Sequence, residues 1–137
     1  RWKKTNRQVH SSNLLRYLSS VTTLSNKFAL VIITTADLYP DERLSYVFGQ
    51  ASRHQKAAVI SLNRLGNIAY DRGYRQSSSR SKKLLTHELG HALGMAHCIS
   101  FSCNMNGSNH LKELDRQTPN LCADCWLKLK WKTKKLH

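Results

Sequence analysis

Acidic residues are scarce in this chain: Asp and Glu number 8 against 22 Lys and Arg, for a formal charge of +14 over 137 residues. That balance favours polyanions or acidic proteins as partners over basic ones, although charge alone does not make a nucleic-acid binder. Long apolar runs are missing as well. The longest, Phe28 to Ile33, falls far short of the roughly 20 apolar residues that cross a bilayer, which argues against a membrane-spanning helix. The opening Arg1-Trp2-Lys3-Lys4 holds neither an initiator Met nor the apolar core of a signal peptide, so upstream sequence, and with it secretion, stays open. No internal repeat or compositional break divides the chain. Its length suits one domain around a single core, without help from disulfides.

The apolar residues that are present fall in periodic segments. Between Arg7 and Val21, Val9, Leu14, Leu15 and Leu18 recur at three to five residues, with Tyr17 on the same face, which predicts an amphipathic helix. Phe28 to Thr35 is a β-branched and apolar run that predicts a strand buried on both faces, ended by a turn at Asp37 and Pro40. Tyr46 to Gly49 is a short apolar piece. Ala57 to Leu62 predicts a second strand, preceded by a solvated turn over Arg53 to Lys56. Residues 71–83 are polar, contain the triplet Ser77-Ser78-Ser79 and show no apolar period, so an exposed loop is expected there, followed by a helix from about Ser81 to His91. Leu127 to His137, with five lysines, predicts a basic terminal helix rather than a nucleic-acid arm.

The informative stretch runs from Thr86 to Cys98 and contains His87-Glu88-x-x-His91-x-x-Gly94-x-x-His97. Residues four apart lie about 40° from each other around a helix, so His87 and His91 project from one face and both imidazoles reach one ion. Gly94 lets the helix stop, because glycine accepts the left-handed backbone that reverses the chain and returns His97 as a third ligand. Three neutral imidazoles leave zinc one open coordination position, the arrangement of a catalytic site. Glu88 then stands where a general base is needed to take a proton from a zinc-activated water. A short His-Glu-x-x-His arises by chance in helices, but the added glycine and third histidine do not. His10, His54, His110 and His137 lack such spacing and are expected to be surface residues.

Cys98, Cys103, Cys122 and Cys125 form a C-x4-C and a later C-x2-C, the spacing of a metal-ligand set. Four thiolates would complete a structural zinc site, and two disulfides in a secreted protein are the alternative. With His87 to Cys98, Cys103, Met105 and the Cys122 and Cys125 pair in view, the chain resembles the archaemetzincin family of metzincin-type metallopeptidases. Tyr46-Val47-Phe48-Gly49 and Ser61-Leu62-Asn63-Arg64-Leu65 extend the likeness. The resemblance implies a catalytic zinc on His87, His91 and His97, a structural zinc on the four cysteines, and Met105 as the hydrophobic base beneath the histidines. It also implies a family strand and helix before Arg7, so residues 1–137 are expected to be one catalytic domain lacking that first strand and helix. Asn106-Gly107-Ser108 fits both an N-glycosylation signal and a tight turn, and the turn is expected.

The implied fold is α/β: a metzincin-like twisted mixed sheet, an active-site helix beneath it, and a small cysteine-zinc C-terminal subdomain. Ala58 to Leu62 is the expected cleft-lining edge strand that receives substrate by strand addition. The implied function is a zinc-dependent peptidase with two Zn²⁺ per chain, Glu88 as general base and a peptide or protein as substrate. It is expected to be monomeric and cytoplasmic, with no membrane association and with an acidic partner suited to its basic surface. The alternatives are a catalytically weak zinc-binding module that docks on nucleic acid or an acidic protein, and a truncated paralogue that cleaves nothing.

Overall fold

A computed structural model describes residues 8–22, 29–41, 43–66 and 71–134, and the side chains of all of these except residues 71–73. Among the described residues, strand β1 (Gln8–His10) and helix α1 (Ser11–Val21) are followed by four strands, β2 (Leu30–Thr34), β3 (Asp37–Tyr39), β4 (Gly49–Ser52) and β5 (Ala57–Ser61), and then by three helices, α2 (Asp71–Ala92), α3 (Leu111–Arg116) and α4 (Ala123–Lys134). β5 pairs in parallel with β2 and antiparallel with β4, while β1 and β3 form a parallel pair beside them. This is a mixed α/β sheet, as expected.

The sheet is held from both sides. Leu15 of α1 packs with Leu38, Ala57 and Val59 on one face, and Leu84 of α2 packs with Ile60, Leu65 and Leu114 on the other. All five residues of β5 are buried, which overturns its expected place at the sheet edge. β4 is the edge strand instead. Its Gly-Gln-Ala-Ser sequence carries no apolar alternation, so periodicity could not find it. β2 is not buried on both faces either: Ile33 is 58% exposed.

Three other expectations are corrected. The first helix starts at Ser11, not Arg7, which lies outside the described residues; Val9 belongs to β1, and the His10 ring caps the helix by accepting the Asn13 N–H at 3.2 Å. Asp37 to Tyr39 is a strand rather than a turn, and the last helix begins at Ala123, before Leu127. Phe28 and His137, the other ends predicted for those elements, lie outside the described residues.

The largest correction concerns residues 71–83, which form the first half of α2 and not a loop. The buried stripe there is polar. Ser77, Arg80 and Lys83 precede Leu84, His87 and Glu88 at helical spacing, and all six are buried. Arg80 meets Asp115 through two bonds of 2.7 Å and donates to the Leu65 carbonyl at 2.9 Å. Lys83 Nζ donates to the Leu114 and Asp115 carbonyls at the C-terminal end of α3, where the helix dipole favours a cation. A periodicity scan that counts only apolar residues misses such a face.

Candidate metal centres and active site

α2 carries His87, Glu88 and His91 on its last turns and ends at Ala92, and two residues on Gly94, with a φ of +99°, makes the left-handed turn the motif demands. Gly94 N donates to His91 O, and Met95 N to Gly90 O, closing the helix. The chain then doubles back and brings His97 to the other two histidines, with ring centroids 5.2 Å from His87 and 4.8 Å from His91. One ring nitrogen from each lies within 4.8 Å of the other two.

The protonation pattern follows from two main-chain oxygens. His87 Nδ1 donates to the Asn104 carbonyl and His91 Nδ1 to the Met95 carbonyl, both at 2.7 Å. A carbonyl only accepts, so each Nδ1 holds the ring proton and each Nε2 presents a lone pair. These Nε2 atoms face each other at 3.1 Å. Two lone pairs so placed repel unless a cation lies between them, and this arrangement fits a metal with Zn–N bonds of about 2.0–2.1 Å. Burial lowers the pKa of His87 to about 4 and lowers that of His91, which keeps both imidazoles neutral and able to ligate.

Glu88 is buried, and desolvation raises its carboxyl to about 7. With His87 it lines a cavity of about 360 Å³ walled by the Leu44–Gly49 segment on one side and by Ser108, Asn109 and Gln117 on the other. Gly49 makes this wall possible. A Cβ there would lie 2.9 Å from the Val59 carbonyl oxygen and 3.0 Å from Glu88 Cγ, so any side chain would push the edge strand off α2. Met105 is fully buried beneath the helix, its Sδ 2.5 Å from where a Cβ on Gly90 would stand.

The four cysteines also converge. Their Sγ atoms lie within 4.8 Å of one another, with Cys98 and Cys122 at 3.9 Å, and none is in a disulfide. Met105 N and Cys122 N both donate to Cys103 Sγ, at 3.4 and 3.3 Å, and fix its position in the cluster. Backbone amides of Phe101 and Ser100 hold the Cys98 thiol down at about 7, while burial and the neighbouring sulfurs push Cys125 far above the usual thiol range. Four thiols this close cannot all ionise without a cation, and the donor set fits zinc. The Asn106 side chain is occupied inside this loop: it accepts from Cys103 N and donates to the carbonyls of Cys98 and Phe101, and the hydrogen-bonded turn lies over Cys103–Asn106, ahead of the expected Asn106–Ser108.

Sequence reasoning misses Asn104, Gly49 and the Leu44–Ser45 wall. Asn104 acts on His87 through its main-chain carbonyl, which any residue type could supply, so no motif marks it. His110, expected at the surface without a task, caps α3 by accepting the Glu113 N–H at 3.4 Å; His54 lies exposed in the turn before β5.

His87 and Glu88 set opposite pH dependences in the metal-stripped chain. Below 6.5 the unfolded chain protonates His87, but the folded chain does not until about 4, so native stability falls by about 3 kcal/mol as pH drops through that window. Folded Glu88 stays protonated up to about 7, whereas unfolded Glu ionises above 4.5, so its burial costs about 3 kcal/mol as pH rises from 4.5 to 7. The two offset each other. Metal-stripped Glu88→Gln should therefore lose about 3 kcal/mol between pH 6.5 and 4, while the parent changes little between 4.5 and 6.5. Urea unfolding of both across this range tests it, and parallel profiles would refute the assignment.

The family model for Peptidase family M54 matches residues 4–131. Archaemetzincin-2 of Macaca fascicularis is 36% identical over 90% of this chain, which spans 42% of that relative's length. Archaemetzincin of Thermococcus kodakarensis is 35% identical over 90% of this chain and 67% of its own length. Among solved structures, archaemetzincin of Methanopyrus kandleri superposes with a TM-score of 0.81 at 34% identity, covering 97% of this chain and 70% of that one. A zinc-dependent peptidase from Methanocorpusculum labreanum superposes at 0.75 with 25% identity, over 93% and 78%.

Proposed function

This chain belongs to peptidase family M54, and from that membership we propose that it hydrolyses peptide bonds with a zinc ion held by His87, His91 and His97. One observation carries the reading: two unprotonated Nε2 atoms face each other at 3.1 Å beside a buried carboxyl that opens into a cavity. Zinc, when bound, supplies a Lewis acid that polarises the peptide carbonyl and lowers the pKa of water.

The chain's own residues orient the reactants and move the protons. Burial raises the Glu88 carboxyl to about 7 in the metal-free chain, which makes it a stronger proton acceptor than an exposed glutamate. As carboxylate it takes a proton from the attacking water, and as acid it returns that proton to the leaving amine, so no covalent intermediate is required. The Nδ1 bonds to Asn104 and Met95 hold the two rings so that each Nε2 keeps its aim. Leu44 to Gly49 offers the wall along which an extended peptide would lie, in place of the central strand that the resemblance implied.

We assign Cys98, Cys103, Cys122 and Cys125 to a second, structural zinc, since four thiols fill a tetrahedron and leave no open position. With these ligands goes a reducing compartment such as the cytoplasm. The rival reading, a zinc-binding module that docks through its lysines, leaves a buried carboxyl beside the histidines with no task. No helix among the described residues is long and apolar enough to cross a membrane.

Elemental analysis of chain purified without chelator should find about two zinc ions per molecule. His91→Ala should drop this to about one and abolish cleavage of a peptide library. One zinc in the parent, still present in His91→Ala, would remove the catalytic site from this assignment.

A further inference from the structure

A second cavity, of about 310 Å³, opens where the α2 turn leaves the helix; Arg53, Gly94, His97, Cys98, Lys128 and Lys132 line it. Arg53 follows the last residue of edge strand β4, and the two lysines lie one helical turn apart on α4. The cations converge. Arg53 Nε lies 3.2 Å and Lys132 Nζ 3.6 Å from the single point where a Cβ on Gly94 would stand. Bringing two cations to one spot costs Coulomb energy that an anion between them would recover.

No carboxylate of the described residues lines this cavity. Asp37 is paired with Arg64, Asp115 with Arg80 and Glu113 with His110, Asp41 accepts the Arg43 N–H, Glu88 lies in the first cavity, and Asp124 is exposed in the first turn of α4. Cys98 and Cys125 do border the cavity, and their sulfurs belong to the four-cysteine cluster. His97 stands between the two spaces, bordering this one while its ring meets those of His87 and His91. Leu44–Gly49 leads into edge strand β4 and Arg53 follows it, so β4 connects the wall of the first cavity to the lining of the second.

We propose that the Arg53, Lys128 and Lys132 cavity is a carboxylate subsite that selects peptides bearing an acidic group on its side of the scissile bond. The inference rests on the peptidase reading. An acidic side chain and a free C-terminal carboxylate offer the same chemistry, a charge-assisted partner for guanidinium and ammonium groups. The competing account makes the three cations counter-charges for the thiolates of Cys98 and Cys125.

The test measures binding of fluorescein-labelled octapeptides to zinc-loaded, full-length Glu88→Gln by anisotropy. Three peptides are compared: one with an internal Glu and an amidated end, its Gln isostere with an amidated end, and the Gln isostere with a free carboxylate. One of the carboxylates should bind about tenfold tighter than the amidated Gln peptide, and which one identifies the source. Adding Arg53→Gln and Lys132→Gln should collapse that ratio to near one with two zinc ions retained. Lys132→Glu, a single change, should turn the preference toward a Lys peptide. Equal binding of all three peptides, a ratio that survives the double change, or a ratio that falls only as zinc leaves the cysteines would each overturn the subsite. Wild-type cleavage of the neutral peptide separates the two readings: cleavage without acidic preference sinks the subsite alone, whereas no cleavage and no binding sinks both.

Discussion

Replacing Glu88 by Gln should lower peptide cleavage by roughly 10² to 10⁴-fold while the zinc assigned to His87, His91 and His97 stays bound. The size of the loss follows from what Gln keeps. It fits the same buried space, where Glu88 Cγ lies against the Gly49 backbone, and it still hydrogen-bonds water. It accepts no proton at neutral pH. The missing step belongs to the transition state, so kcat should carry the loss and KM should change little. Initial rates on a quenched fluorescent peptide, with zinc content measured on the same sample, decide the matter. A variant that cleaves as fast as wild type, with contaminating protease excluded, would refute Glu88 as the proton carrier.

The histidine set is legible in the sequence because its geometry is local. His87 and His91 sit one turn apart on a helix, and Gly94 has the φ that its place in the motif requires, so spacing alone brings the ligands together. The cysteines read almost as well, since two short ligand pairs need only one long-range closure. What the sequence hides lies in main-chain and edge chemistry. The carbonyls of Asn104 and Met95 that fix the tautomers have no residue type to recognise, and β4 has no apolar alternation because its role is to expose an edge. The first half of α2 reads as loop for a related reason: its buried face is built from Ser77, Arg80 and Lys83, and the two cations are satisfied by α3 and by the Leu65 carbonyl.

The placement of Asn104 links the histidine cluster to the cysteine cluster. It lies between Cys103 and Met105, is fully buried, and ties α2 to the cysteine loop through its carbonyl bond with His87 and its Nδ2 donation to the Lys83 carbonyl. Gln117 Nε2 donates to the same Asn104 carbonyl and, at 2.9 Å, to that of Asn106. The segment that supplies His97, the Asn104 carbonyl and the Met105 floor is therefore the one organised by the cysteines.

Removal of the cysteine site should accordingly do more harm than removal of the histidine site, and in a fixed order. Three histidines leave zinc an open side that a chelator can approach, whereas four thiols enclose theirs, so mild chelation should abolish cleavage while the fold persists. Cys103→Ser strikes the other site. Cys103 is fully buried and accepts the Met105 and Cys122 amides, and a serine hydroxyl there provides no thiolate for zinc. Cysteine-type zinc supplies apparent binding energies of about 10 to 16 kcal/mol in small zinc peptides, more than a core cluster of Met95, Met105 and half-buried Leu121 and Leu129 can replace. Residues 95–134 should then lose amide-exchange protection while β5, buried between α1 and α2, and β2, paired with it, keep theirs. Cleavage should vanish too, because His97 and the carbonyl that aims His87 go with the loop. Protection at 95–134 equal to that of the parent, or loss of both zinc ions in one step with global unfolding under mild chelation, would show that the two sites are not organised in this order.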